Sequence, residues 1–378
     1  MTRFLLKVFL FLLPVGLVFA FPAAVFLLAR EGYLIETAVR AQTSHPDIII
    51  GRAYTDTDNT GIFYKTELVR EKNPEIITMG SSRTMEFRRE FFAQPEAFVG
   101  ASFSAAYAEQ FEDFIRDLPP RVRVIVLGLD HRIFRSDYVP LAPNGAMTVG
   151  KIISDFFVFD WRWIYYDYVR GRFSFSDLLK RNMNSGNIGL SALIDGNGYR
   201  GDGSYSYQKK LTDPARKELL AAEIQYHLDA LKSDRSSFEY SAEISLSALE
   251  ALESALAAAE ERDITVLGFL PPYSHSLYVE MLSKDDEYRE SVFELPKGLR
   301  AIFNRYGFPL YDFSDDTVLG GSKDEYIDPD HPTDKLNLRL LIHMAQREAA
   351  LRPYVDIKKA QALLQNTPGD FFPFPPLK

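Results

Sequence analysis

Ile76-Ile77-Thr78-Met79-Gly80-Ser81-Ser82-Arg83 reads as a short apolar strand that runs into a tight turn and then a helix. Gly80 stands where the chain must turn, and a hydroxyl follows two positions later. A serine on a strand-to-helix turn is exposed near a helix N-terminus, where backbone N–H groups can stabilise an oxyanion. Far downstream, Asp328-Pro329-Asp330-His331 puts a carboxylate and an imidazole three residues apart at the start of another helix. An Asp and a His close together supply a base and the partner that orients it. Together the two segments point to serine-based acyl chemistry.

Working outward, strands and helices alternate. After the first strand, residues 105–118 read as a helix closed by Pro119-Pro120. Residues 122–129 are a nearly continuous apolar run, the signature of a buried parallel strand. An Ala- and Leu-rich helix is expected over 241–262, a buried strand over 264–270, a short last strand within 306–312 and a last helix over 333–351. This alternation predicts an α/β protein with an open, doubly wound parallel sheet of the flavodoxin-like kind. Ligands of such sheets bind outside the carboxyl ends of the strands. Ser82, Asp130 and the segment after Leu270 lie at those ends.

Between residues 131 and 240 the pattern loosens into a helical, loop-containing insertion that caps the active-site edge. Aromatics crowd 156–168 and read as core of that insertion in preference to a sugar platform. Residues 195–203, rich in Gly and Asn, have turn chemistry. They lack the strand, Lys-Ser/Thr and helix context of a phosphate cradle.

The two motifs resemble those of the SGNH (GDSL-like) hydrolase superfamily. Within it the likeness is to membrane-anchored bacterial members such as DltD and the alginate acetylation proteins AlgJ and AlgX. It runs over residues 60–350 in the order of elements and over the two motif blocks in sequence. The resemblance implies that Ser82 is the nucleophile, His331 the base and Asp328 the orienting acid. Asp330 is a rival to Asp328, but the three-residue spacing suits the D-x-x-H pattern. Beside Ser82, the family's second block would fall in Phe98-Val99-Gly100-Ala101-Ser102-Phe103-Ser104, with Gly100 or Ser104 as oxyanion donors. The third would fall at Gly128-Leu129-Asp130, which has no Asn, and an ionised Asp130 would oppose an oxyanion. No cofactor is implied. A cell-envelope polysaccharide is the implied acyl acceptor, and a multi-spanning MBOAT-type acyltransferase the implied partner.

Three further residues are candidates for substrate contact. Arg83 either binds an anionic substrate group or pairs with Glu86 on a helix surface. Asp130 sits at a strand end. His275 follows Pro271-Pro272-Tyr273-Ser274, and its bland alternative is a solvated loop histidine. His131 beside Asp130 stands in the same position.

The chain of 378 residues carries a net charge of −9, which argues against a general nucleic-acid binder. It has no cysteine, so disulfides and thiolate metal sites are excluded, and its 6 histidines form no metal-like cluster. Residues 8–29 are an apolar run that would make a helix about 33 Å long, enough for a hydrocarbon core. Arg3 and Lys7 precede it and Glu31 and Glu36 follow, so the positive-inside rule places the remainder outside the cytoplasmic membrane. A cleaved signal peptide is the alternative, but the run exceeds the usual h-region. The expected organisation is an anchor over 1–30, a juxtamembrane connector over 31–70, an SGNH-like domain over 71–355 with its insertion at 131–240, and a Pro/Phe-rich tail over 356–378. That tail either packs on the domain or meets a partner membrane protein. The reaction expected is extracytoplasmic acyl-ester transfer in cell-envelope or exopolysaccharide modification. An esterase using the same site and a non-catalytic polysaccharide-binding or assembly protein are the alternatives.

Overall fold

The computed structural model describes residues 1–51, 60–104, 107–136, 148–233, 243–284 and 294–373. Five strands build the main sheet: β1 Ile76–Met79, β2 Phe98–Gly100, β3 Val124–Gly128, β6 Thr265–Leu270 and β7 Leu310–Asp312. β4 Asn197–Tyr199 and β5 Tyr205–Tyr207 form a separate antiparallel hairpin. All pairs in the main sheet are parallel, in the order β2-β1-β3-β6-β7. The chain is therefore an α/β protein whose five-stranded parallel sheet is flanked by helices. Its strand order is compatible with a flavodoxin-like fold.

Alternate side chains of each strand enter different cores. Ile77, Met79, Ile125, Leu127 and Val266 pack with the helix Leu246–Glu261 through Leu252, Leu256 and Ala259. Ile76, Val124, Val126, Leu267 and Phe269 pack on the other face with the helix Asp334–Ala345 through Leu338, Leu341 and Ala345. Burial on both faces explains why these strands are apolar at successive positions. Parallel neighbours need long connections. The β3-to-β6 crossover holds the whole insertion, and ends in the helix Leu246–Glu261.

Several expected elements take a different form. The Gly80-Ser81 turn leads into a single 3-10 turn, Ser82–Thr84, and not an α-helix. The chain instead runs through two more 3-10 turns into β2, too short an apolar segment to stand out by pattern. Within the expected connector over 31–70, the helices Ile35–Ser44 and Thr60–Lys72 bury Val39, Leu68 and Val69 in the core. The Gly-rich run becomes the hairpin of β4 and β5. In the tail, Ile357–Asn366 is a helix, and Phe372 packs on Phe91 inside the core. Residues 374–378 lie outside the described residues.

Thr2–Leu28 is helical. No single helix among the described residues is long and apolar enough to cross a membrane, although the halves Thr2–Pro14 and Gly16–Leu28, bent by 57°, meet that test together. Val25, Phe26 and Ala29 at its far end are buried in the domain. Beyond them Arg30 donates to Asn187 O, and Glu31 accepts from the amide of Leu190.

Candidate active site

The carboxyl end of β1 sets the first group. Gly80 has φ +144°, and a Cβ there would stand 2.5 Å from the Gly128 carbonyl oxygen. Only glycine suits that backbone and that approach. Gly128 is equally constrained, since its Cβ would fall 2.1 Å from the Thr84 methyl. The turn is pinned by Thr84, whose hydroxyl lies 2.7 Å from Ser102 Oγ and 2.8 Å from Ser81 O. Ser82 opens the 3-10 turn, half-buried. The first amide of such a turn has no partner inside it.

Asp328 and His331 lie in a turn just before the helix Asp334–Ala345, not in its first turn. Asp328 Oδ1 accepts the amides of Asp330 and His331 at 3.1 and 3.0 Å, and lies 2.7 Å from His331 Nδ1. The other ring nitrogen, Nε2, is 2.8 Å from Ser82 Oγ. Residues 249 positions apart in sequence thus form a continuous Ser–His–Asp chain. Burial raises the Asp328 carboxyl, but the hydrogen bond and charge of His331, with Lys210, hold it well below the usual carboxylate range. An ionised Asp328 fixes the tautomer with Nδ1–H, which leaves Nε2 free to accept the Ser82 proton.

Arg83 does neither of the things expected of it. It is 1 % exposed, and its guanidinium ties together four loops. Nε donates to Asp330 O at 2.9 Å, Nη2 to Pro271 O and Pro272 O at 3.1 and 2.8 Å, and Nη1 lies 3.5 Å from Asp130 Oδ1. Its plane also lies 3.9 Å from the centroid of the Tyr273 ring. Glu86 pairs elsewhere, with Arg200 at 3.6 Å. Arg83 therefore holds the His331 turn against the strand ends and is not placed to meet a substrate.

Asp130 is likewise buried. It accepts from Ser81 Oγ at 3.0 Å and faces Arg83 and Arg132. Burial raises its carboxyl, but Arg132 and Arg83 outweigh this and hold it well below its usual value. Its charge is committed to these partners, so it neither contacts a substrate nor stands free to oppose an oxyanion. Gly100 is also committed. Its amide donates to Asp202 O at 2.7 Å and its carbonyl accepts from the buried Lys65 at 2.9 Å, which removes it as an oxyanion donor. Ser104 is exposed, one residue beyond Phe103, whose amide donates to Gly80 O. His275 lies open to solvent, its Nδ1 3.1 Å from Asp315. His131 is buried, its Nε2 3.3 Å from Ser314 Oγ. Desolvation, then the charge of Arg83, lowers it to about 4, so it is neutral at pH 7.

Two neighbours of the site carried no local signal. Lys210 reaches Asp328 Oδ2 at 3.4 Å, and the Tyr207 ring lies 6.2 Å from that of His331. Both come from the hairpin and the short helix after it, elements the insertion brings over the edge of the sheet. Arg132 pairs with Asp330 at 3.0 Å and so clamps the same turn from a third side. Among the described residues no group of three or more His, Asp or Glu is arranged to hold a metal ion.

In comparison with protein-family models and with curated proteins, nothing matches the chain. The chemistry available to the site follows from its own geometry.

Proposed function

We propose that the protein is a serine acyltransferase of SGNH-like type, held at the outer face of the cytoplasmic membrane by its N-terminal helix. One observation carries the chemistry: Ser82 Oγ, His331 Nε2 and Nδ1, and Asp328 Oδ1 follow one another at 2.8 and 2.7 Å. Ser82 Oγ attacks the carbonyl carbon of an acyl ester as its proton passes to His331 Nε2. Asp328 stabilises the imidazolium that results. Collapse of the tetrahedral intermediate breaks the ester bond, and the leaving alcohol takes the proton from His331. An acyl-Ser82 ester remains. His331 then deprotonates an acceptor hydroxyl as it attacks the acyl carbon; collapse breaks the Ser82 Oγ–acyl bond, and His331 returns the proton to Ser82 Oγ. The Ser82 amide is the donor best placed for the oxyanion.

A sugar hydroxyl of a cell-envelope polysaccharide is the proposed acceptor and an MBOAT-type membrane acyltransferase the proposed source of acyl groups. Both readings rest on the resemblance of the motifs and on the apolar N-terminus. Hydrolysis to water by the same residues is the esterase alternative. A non-catalytic binding role draws on a specific observation, the engagement of the Gly100 amide by Asp202.

Labelling with a fluorophosphonate separates the serine-catalysis readings, transfer and hydrolysis alike, from the binding role. The reagent should modify Ser82 in the full chain and fail on Ser82→Ala. If the folded protein is not labelled at all, the acyl-transfer reading fails and the binding role stands. Labelling of Ser81 in place of Ser82 would shift the nucleophile by one residue.

A further inference from the structure

One face of the insertion has its polarity reversed. Residues 149–169 form a continuous helical segment, Val149–Asp155 and Trp161–Val169 joined by the π-turn Phe156–Asp160. Its three acids, Asp155, Asp160 and Asp167, are buried. Exposed along it are Ile153, Phe157, Phe159, Trp163, Tyr166 and Val169, with Phe157 55 % and Trp163 53 % exposed. The charges exposed with them, Arg162 and Arg170, are basic, and Arg170 lies 4.2 Å over the Tyr166 ring. Large exposed apolar patches mark interaction surfaces. A helix exposing aromatics with Arg is suited to the headgroup region of a bilayer.

Continuity with the N-terminal helix identifies what covers this face. Phe19 packs edge-on against Phe157 and Trp161, with ring centroids 5.4 and 5.1 Å apart. Phe21 lies 4.7 Å from Tyr168. Pro22 has no N–H to give to the carbonyl of Val18, one turn back. The Tyr165 hydroxyl donates to that carbonyl at 2.7 Å and fills the gap. The aromatic segment is therefore fastened to the apolar helix at residues 18–21. The helix before that point, Thr2 to Leu17, follows a path of about 24 Å that bends by 57° between Pro14 and Gly16 and carries Arg3 and Lys7 at its start, so it is shorter than a hydrocarbon core of about 30 Å. A bilayer that takes up this stretch, thinned locally or met by the snorkelling side chains of Arg3 and Lys7, ends at the level of Trp161 and Tyr165.

We infer that residues 149–169 are a membrane-interface element, with Phe157, Phe159, Trp163 and Tyr166 seated among phospholipid headgroups and upper acyl chains. The element fixes the catalytic domain flat on the membrane, beyond tethering it by one helix. The inference rests on the anchor reading of Thr2–Leu28.

The chain has no cysteine, so single-cysteine variants of the full protein report each position cleanly. Phe159→Cys, Trp163→Cys and Tyr166→Cys, labelled with a nitrobenzoxadiazole dye, are reconstituted in vesicles of phosphatidylethanolamine and phosphatidylglycerol. Leu12→Cys reports on the anchor, and Val318→Cys on an exposed apolar residue outside the patch. Nitroxide lipids should quench positions 159, 163 and 166, and iodide quenching there should be several-fold weaker than at Val318. If Leu12 is quenched by lipid while these three respond only to iodide, the inference falls and the anchor survives. Shielding of the three from both quenchers means that protein covers the face, which also overturns it. If Leu12 itself is not quenched by lipid, the anchor reading fails, and this inference with it. Because a dye can disturb the face it probes, the native indole is a second readout. In Trp161→Phe, brominated lipids should quench Trp163, and absence of that quenching counts against the inference.

Discussion

Replacing Arg83 with Met isolates the residue that holds the active-site loops together. The change keeps much of the stem's volume and removes the guanidinium. Asp130 loses one of its two cationic partners in a buried site, and breaking such a pair costs about 3–5 kcal/mol. The carbonyls of Pro271, Pro272 and Asp330 lose their donor. Each orphaned buried acceptor costs at least about 1 kcal/mol, partly relieved by local relaxation. Relaxation brings the roughly 6–8 kcal/mol of these terms down to about 5 kcal/mol, comparable with the whole stability of a domain at the low end of the usual range. At about 2 °C per kcal/mol for a large domain, the melting temperature should fall by roughly 10 °C. Differential scanning fluorimetry of the detergent-solubilised full chain reads this directly. Arg83→Lys should recover only part of the loss, because an ammonium can face Asp130 but cannot match the planar fork that reaches three carbonyls. In Arg83→Met combined with Asp130→Asn, the losses should be less than additive, since the second change removes the charge that the first leaves exposed to burial. A melting temperature for Arg83→Met within about 2 °C of the parent, a loss of only ~1 kcal/mol, would refute this account of Arg83.

Ser82→Ala and His331→Ala should each lower kcat by about 10⁴- to 10⁶-fold on an activated ester, with no further loss in the double variant, and Asp328→Asn should cost less; steady-state hydrolysis of p-nitrophenyl acetate checks this, and additive losses would separate the two groups. Glu86, raised by burial to about 8, keeps its proton in the folded state where the unfolded chain, with a pKa of about 4.3, has lost it. Stability should therefore fall as pH rises from about 4.5 to 8, and Glu86→Gln should flatten that slope in melting curves taken across the range. Gly128→Ala should destabilise by more than about 1 kcal/mol, because its new methyl meets that of Thr84 at 2.1 Å. Adding Thr84→Ser removes the opposing methyl but keeps the hydroxyl, so the double variant should melt above Gly128→Ala alone.

Local pattern determined much of this molecule. Nearly continuous apolar runs at 76–79, 122–129 and 264–270 read as strands covered on both faces, and they are the centre of the sheet. A Gly-Ser-Ser turn at the end of β1 and a D-x-x-H turn before a helix, read through their resemblance to the SGNH motifs, pointed to Ser82, His331 and Asp328 together, and the three-residue spacing by itself brings the Asp and His into reach. Partners set by long-range packing left no such trace. Arg83 reads as a substrate contact or a helix-surface partner of Glu86 until the ends of β3 and β6 and the turn before Asp334 close over it. Gly100 looks like a free donor until the hairpin delivers the Asp202 carbonyl to it. Lys210 comes to Asp328 from 118 positions away, a meeting that no periodicity encodes. The aromatics of 156–168 show the same limit from the other side. Their composition suggested a core, yet which ring faces in and which faces out depends on helical phase against a distant apolar helix. Only the tertiary structure decided that the acids turn inward while Phe157, Phe159, Trp163 and Tyr166 turn out.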